Sequence, residues 1–176
     1  MEKRQQIPAD QWLENGLVKH NLPAPQHLIK CATVLDIGAG IRPMQWYKPV
    51  THECVEPHRP YAEKLIECGY TTYISEAAPF LLGMIQRKSV VEAIYMLDMI
   101  EHVEKAAGEH IIELAKLSAT RQIVIYTPQG FLHQEGDGFG MGGEYWQKHR
   151  SGWTLQDFPG WIIESYGRGF FAILNL

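Results

Sequence analysis

"VLDIGAGIRP", residues 34–43, decides the fold. Val34 to Ile37 form an apolar run of the kind a parallel strand shows when both of its faces are covered. The run ends in Gly38, Ala39 and Gly40, a turn whose glycines reach positive φ without penalty and let a ligand approach the backbone. In the dinucleotide-binding pattern a third glycine follows three residues after the second. Here Pro43 holds that place, and its ring has no N–H to offer a pyrophosphate at a helix start. Asp36, inside the strand, adds negative charge nearby. A pyrophosphate is repelled there, whereas an ammonium or sulfonium group is attracted.

Outward from this turn, strand and helix alternate. "HECVEP" reads as a second strand ending at Pro57, and "PYAEKLIECG" as a helix stopped at Gly69. "TTYIS" is a third strand, followed by the helix "APFLLGMIQRK" with Leu81, Leu82 and Ile85 inward. "VVEAIYML" is a fourth strand reaching Asp98. "KAAGEHIIELAKLSA" is a helix with Ile111, Leu114, Ala115 and Leu117 or their neighbours on the core side, and "RQIVIYTP" is a fifth strand. This alternation calls for a parallel sheet with helices on both faces. The tail, "GWIIESYGRGFFAILNL", holds two β-rich runs joined by "GRG". No crossover helix fits between them, so they pair antiparallel. The expected fold is α/β, a Rossmann-like three-layer sandwich with a mostly parallel seven-stranded sheet and an antiparallel terminal hairpin.

Before the first strand, Asp10 is placed to cap a short helix through about His20, with Trp12, Leu13 and Leu17 on one face. "NLPAPQHLIK" adds a second turn or two of helix. Residues 1–32 are thus expected as an N-terminal helical segment, and 33–176 as the cofactor-binding core of a single domain over 1–176.

The 176 residues carry a formal net charge of −4 and are 45% hydrophobic, an ordinary globular balance. No basic stripe suits a nucleic acid. No apolar run approaches the roughly 18 residues of a membrane helix, and "MEKRQQIPADQW" has no apolar leader core, so a cytoplasmic location is expected. The three cysteines, Cys31, Cys54 and Cys68, cannot all pair and lack metal-ligand spacing. They are expected as reduced thiols. Neither HxH nor HxxxH occurs among the eight histidines, and no metal ligand is assigned.

In an open α/β sheet the ligand lies beyond the carboxyl ends of the strands. Those ends gather Asp36 to Arg42, Glu56, Ser75 to Ala77, Asp98 to His102 and Thr127 onward. Glu56, ending the second strand, suits two ribose hydroxyls; its alternative is a surface carboxylate capping the helix after Pro57. His102 lies four residues after Asp98, on the same face if a helical turn begins there. It is a candidate base, or else packs beneath a cofactor. His149, in "KHRSGW", is the second candidate on the same terms. The glycine-rich loop from Gln129 to Ser151 is long enough to serve as a lid, with Tyr145, Trp146 and Trp153 expected to wall an acceptor pocket.

"VLDIGAG", "VEP", "IYMLDMIEHV" and "IVIYTP", in this order and spacing over residues 33–176, resemble the successive motifs of class I S-adenosylmethionine-dependent methyltransferases. "LDMIEHV", "TPQG", "HRSGW" and "DFPGW" are similar to the branch acting on small molecules and glycans. The resemblance implies S-adenosyl-L-methionine as cofactor. It puts Asp36, Gly38, Ala39 and Gly40 around the methionine moiety, and Glu56 with Pro57 at the ribose. It puts Ser75, Glu76 and Ala77 at adenine, and Asp98 and Met99 beside the amino-acid portion and the methyl. Arg42 either meets the cofactor carboxylate or a solvent-facing acid. The acceptor implied is an oxygen or nitrogen of a small molecule or sugar, with a homodimer or a macromolecular partner open as the means of completing the pocket. Two rivals remain: a methyltransferase fold that binds without turnover, and a nicotinamide-dependent oxidoreductase, which Pro43 and Asp36 disfavour.

Overall fold

The computed structural model describes residues 7–176. One seven-stranded sheet carries the chain, in the order β3-β2-β1-β4-β5-β7-β6. The strands are β1 (Thr33–Ile37), β2 (Thr51–Val55), β3 (Thr71–Tyr73), β4 (Val91–Leu97), β5 (Ala119–Pro128), β6 (Ile162–Tyr166) and β7 (Gly169–Asn175). The first five run parallel. β7 pairs antiparallel with both β5 and β6, closing the hairpin that the short "GRG" linker requires.

β1 lies between β2 and β4, which is why four of its five residues are buried. Period-2 alternation sends its side chains to two cores. Leu35 and Ile37 join Ile94, Met96, Ile123 and Ile125 beneath the helices α2 (Ala77–Gln86) and α3 (Lys105–Ser118). Val34 faces the other way, with Tyr95, Val124 and Phe171. Helix α1 (Arg59–Glu67) covers the β2 side of that second face through Tyr61 and Leu65 against Cys54. The rest of the face is padded by Leu22, Cys31, Met44 and Trp46 from irregular chain, so its third layer is only partly helical.

Three expectations need correction. Residues 10–20 are not a helix: a single 3-10 turn at Ala9–Gln11 leads into a reversal that pairs Trp12 with Val18. Asn15 and Gly16 make the reversal, Gly16 at φ +77° and the Asn15 side chain accepting from the Leu17 amide at 3.2 Å. From there to Ala32 the chain has neither helix nor strand, so the N-terminal helical segment is absent among the described residues. Leu82 and Leu117 face solvent, because Leu81 and Met84 on α2 and Ile111, Ile112, Leu114 and Ala115 on α3 take the inward stripes. No helix among the described residues is long and apolar enough to cross a membrane.

Candidate functional site

The loop after β1 positions one side of the site. Gly38 and Gly40 sit at φ +69° and +57°, and the Met99 side chain lies against Gly38, where a Cβ would collide. Asp36 points away from the site: buried, its Oδ2 accepts from the Met44 amide at 2.7 Å and lies 3.3 Å from His52 Nε2. It anchors the loop after β1 rather than facing a ligand. Cys54 completes a buried Asp36–His52–Cys54 group, in which burial and the neighbouring acids push the thiol pKa up.

The end of β4 supplies the opposite side. Asp98 adopts a left-handed backbone, φ +51°, uncommon outside glycine. Its carboxylate meets Arg42 Nη2 at 3.2 Å, and its side chain keeps 27% of its surface open. Burial raises its pKa and Arg42 opposes the rise. The 3-10 turn Ile100–His102 follows. Glu101 is buried, receives the Thr127 hydroxyl at 3.1 Å, and has its pKa raised by burial and by Asp98.

His102 and His149 stack edge to face with ring centroids 4.8 Å apart. Burial first, then His149, lowers His102 to about 4; burial also lowers His149. His149 Nδ1 is 2.6 Å from the Leu132 carbonyl, so it carries the proton and leaves Nε2 as an acceptor. Among the described residues, His102 Nδ1 is buried without a partner, as is His20 Nδ1. Glu101, His102 and His149 bring one donor atom each within 4.8 Å of one another, the kind of set that could hold a divalent cation.

These groups enclose a cavity of about 190 Å³ at the carboxyl ends of β1, β4 and β5. Of the expected residues, Gly38, Ala39, Gly40, Arg42, Asp98, His102 and His149 line it. Asp36, Glu56, Pro57, Ser75, Glu76, Ala77 and Met99 do not. Glu76 is exposed and precedes α2. Tyr145, Trp146 and Trp153, expected to wall an acceptor pocket, do not line this cavity. Tyr145 faces solvent, and Trp153 is core, its indole donating to Ser151 Oγ at 2.9 Å. On the cavity wall, Glu101 belongs to the strand-end set read from sequence, and Leu132, Gln134, Phe139 and Gln147 to the loop read as a lid, though none of them was given a role of its own; His20 and Leu97 were missed. A larger open groove, about 680 Å³, lies at the amino ends of β2 and β3, the end of an open sheet that does not take ligands.

The loop over residues 129–151 carries a short helix, α4 (Glu144–Gln147). Its glycine-rich part closes on Asp137. Asp137 Oδ1 accepts from Tyr61 Oη at 2.5 Å and the Phe139 amide at 2.7 Å; Oδ2 accepts from the Met141 and Gly143 amides at 2.6 and 3.0 Å. Burial alone raises the Asp137 pKa, but Tyr61 and the three amides outweigh it and hold the group ionised.

Solved structures share this arrangement of strands. One is an S-adenosylmethionine-dependent methyltransferase from Archaeoglobus fulgidus, at TM-score 0.57 and 13% identity, covering 83% of this chain and 86% of that one. Another is an O-methyltransferase family protein from Burkholderia thailandensis, at 0.54 and 13%, covering 82% and 50%. A third is the O-methyltransferase NcsB1 of neocarzinostatin biosynthesis, at 0.52 and 9%, covering 83% and 49%. The chain spans most of the first and about half the length of the other two. No family model matches the sequence, and no curated protein matches it. The likeness establishes the fold, that of the class I S-adenosylmethionine-dependent methyltransferases.

The site suits that cofactor at one end only. Gly38, Gly40, Asp98 and Arg42 leave room and charge for an amino-acid moiety. At the other end Glu56 is 3% exposed, and its two oxygens accept from the Gly40 and His58 amides, each at 2.8 Å. Ribose hydroxyls have no access to it in this form. The cavity is also smaller than the roughly 300–1,000 Å³ of small-molecule pockets.

Proposed function

We propose that this protein is an S-adenosylmethionine-dependent methyltransferase acting on an oxygen or nitrogen of a small-molecule or sugar acceptor. One observation carries the reading. On this fold, the glycine turn, the Arg42–Asp98 pair and two neutral imidazoles converge on one cavity at the ligand-binding end of the sheet. The cofactor, when bound, supplies a methyl group already activated on a sulfonium.

The chain's own residues have separable tasks. Asp98 offers negative charge to a cationic group, and Arg42 offers a guanidinium to a carboxylate. Leu97, Pro128, Leu132 and Phe139 line the cavity with apolar surface that limits water. His102 and His149, kept neutral by burial, each present a ring nitrogen that can take a proton from an acceptor hydroxyl or ammonium. The net charge of −4 argues against a polyanionic acceptor.

A second reading, a protein of this fold that binds without turnover, is favoured by one feature, the burial of Glu56. Calorimetric titration with S-adenosylhomocysteine, with NAD as control, tests the first. Saturable binding of the former alone, followed by transfer of labelled methyl to a hydroxyl or amine acceptor, is the expected result. Binding without transfer to any acceptor favours the second reading. Binding of NAD instead overturns both.

A further inference from the structure

The part of the site that does not fit the cofactor is filled by the protein itself. Phe139 lies over the glycine turn: a Cβ built on Gly40 would be 3.2 Å from its Cε2. The Phe139 ring packs edge to face on Tyr61, centroids 5.2 Å apart, and Tyr61 packs on His58 at 4.4 Å. His58 Nε2 lies 3.0 Å from the Met141 carbonyl. Residues 139–141 therefore lie over Gly40 and beside His58, next to the end of β2 at Glu56, where the proposed cofactor would place its ribose.

We infer that residues 136–143, "GDGFGMGG", are a lid that closes the adenosyl half of the site, latched by Tyr61 and Asp137 and displaced when the cofactor enters. Two features fit a moving element. Gly136, Gly140 and Gly142 have open space where a Cβ would stand, and Gly140 and Gly142 sit at φ +70° and +77°, so the backbone can turn without obstruction. Within the lid, the Phe139, Met141 and Gly143 amides converge on the Asp137 carboxylate, and two hydrogen bonds tie the lid to the body: the Tyr61 hydroxyl of α1 to Asp137, and His58 Nε2 to the Met141 carbonyl. Breaking the Tyr61 bond removes one of these two ties. Glu56 lies beneath, a carboxylate that the closed lid keeps from water and the open lid returns to it.

The inference rests on the proposed cofactor and implies a specific energetic relation. Apparent affinity is the intrinsic affinity scaled down to the fraction of molecules that are open, so loosening the latch tightens it. Tyr61→Phe keeps the ring packing and removes the hydroxyl. Asp137→Asn keeps the size and removes the charge. Phe139→Ala leaves the latch and clears the ledge. Each variant, checked for folding by circular dichroism, is titrated with S-adenosylhomocysteine alongside the wild type. The expected result is a fall in Kd in each, about tenfold for Tyr61→Phe, the scale of one hydrogen bond to a charged group. In wild-type hydrogen exchange, the Phe139, Met141 and Gly143 amides should also change protection on ligand addition. Wild type and all three variants binding with equal Kd, and exchange unchanged, overturn the lid and leave the cofactor assignment standing. Failure of every form to bind overturns both. Binding by the variants where the wild type shows none supports both.

Discussion

Arg42 and Asp98 stand 3.2 Å apart across the cavity, joining the turn after β1 to the left-handed end of β4. The pair has a neighbour of like charge to Asp98 in Glu101, whose pKa Asp98 helps to raise and Arg42 helps to lower. Among the described residues, Arg42 is the cation that opposes the rise of both acids. Arg42→Ala is expected to cost about 1–2 kcal/mol at pH 8, because an ionised acid is left partly buried without its partner. The deficit shrinks as pH is lowered from 8 toward 5, because both acids are raised and so take up protons before free carboxyls do. Urea unfolding at the two pH values reads the difference. An equal cost at both would remove electrostatics as the cause.

Glu56 sets a pH dependence of its own. Burial raises it from 4.5 to about 7 against the pull of the His58 and Gly40 amides, with Asp36 adding to the rise. A carboxyl raised on folding binds its proton more tightly in the native state. Its contribution is fully present below the unfolded pKa and is lost as pH climbs through about 7. A shift from 4.5 to about 7 corresponds to about 3 kcal/mol between pH 4 and pH 8. Glu56→Gln should flatten the stability profile by that amount over this window, measured by urea unfolding of variant and wild type in parallel.

Much of the architecture was legible because it is written locally. The apolar run of β1, the glycines after it and the short link in the terminal hairpin each leave only one workable geometry. What escaped was written at long range or overridden. Trp12, Leu13 and Leu17 have helical spacing, but Asn15-Gly16 between them is a turn dipeptide, and the turn won. Trp153, expected to wall an acceptor pocket, is instead buried, its indole reaching Ser151 and the Ile100 carbonyl. The Tyr61–Asp137 bond joins residues 76 apart, and no local pattern announces it. Seven of the expected site residues face the cavity because the strand ends were placed correctly. Glu56 does not, because its two oxygens are taken by the Gly40 and His58 amides, contacts that no periodicity announces.

The Glu101, His102 and His149 donors make a separate test of the cavity. His149 has its other nitrogen fixed by the Leu132 carbonyl, which is how a ligating imidazole is usually oriented. Zn²⁺ added to the chelator-treated protein should raise Tm, because a ligand bound to the native state alone at a hundred times its Kd stabilises by about 2.7 kcal/mol. The rise should vanish in the double variant His102→Ala, His149→Ala. An equal rise in both forms would assign the effect to other histidines.

Gly108 gives a prediction opposite to propensity. It lies inside α3, where alanine ordinarily stabilises a helix by about 1 kcal/mol relative to glycine. Here an added Cβ would come to 2.5 Å from Cζ2 and 3.1 Å from Cη2 of Trp153. Trp153 is 1% exposed and cannot swing aside, since its indole nitrogen donates into Ser151 and the Ile100 carbonyl. Overpacking of this kind costs about 1–3 kcal/mol, enough to cancel or reverse the helical gain. Gly108→Ala should therefore lower Tm. Because Ile100 and Ser151 flank Glu101 and His149, the shift should also reach the cavity, seen as altered His102 and His149 ring resonances by NMR. A raised Tm with unchanged ring resonances would show that Trp153 yields freely, and that the packing under the site is looser than its burial indicates.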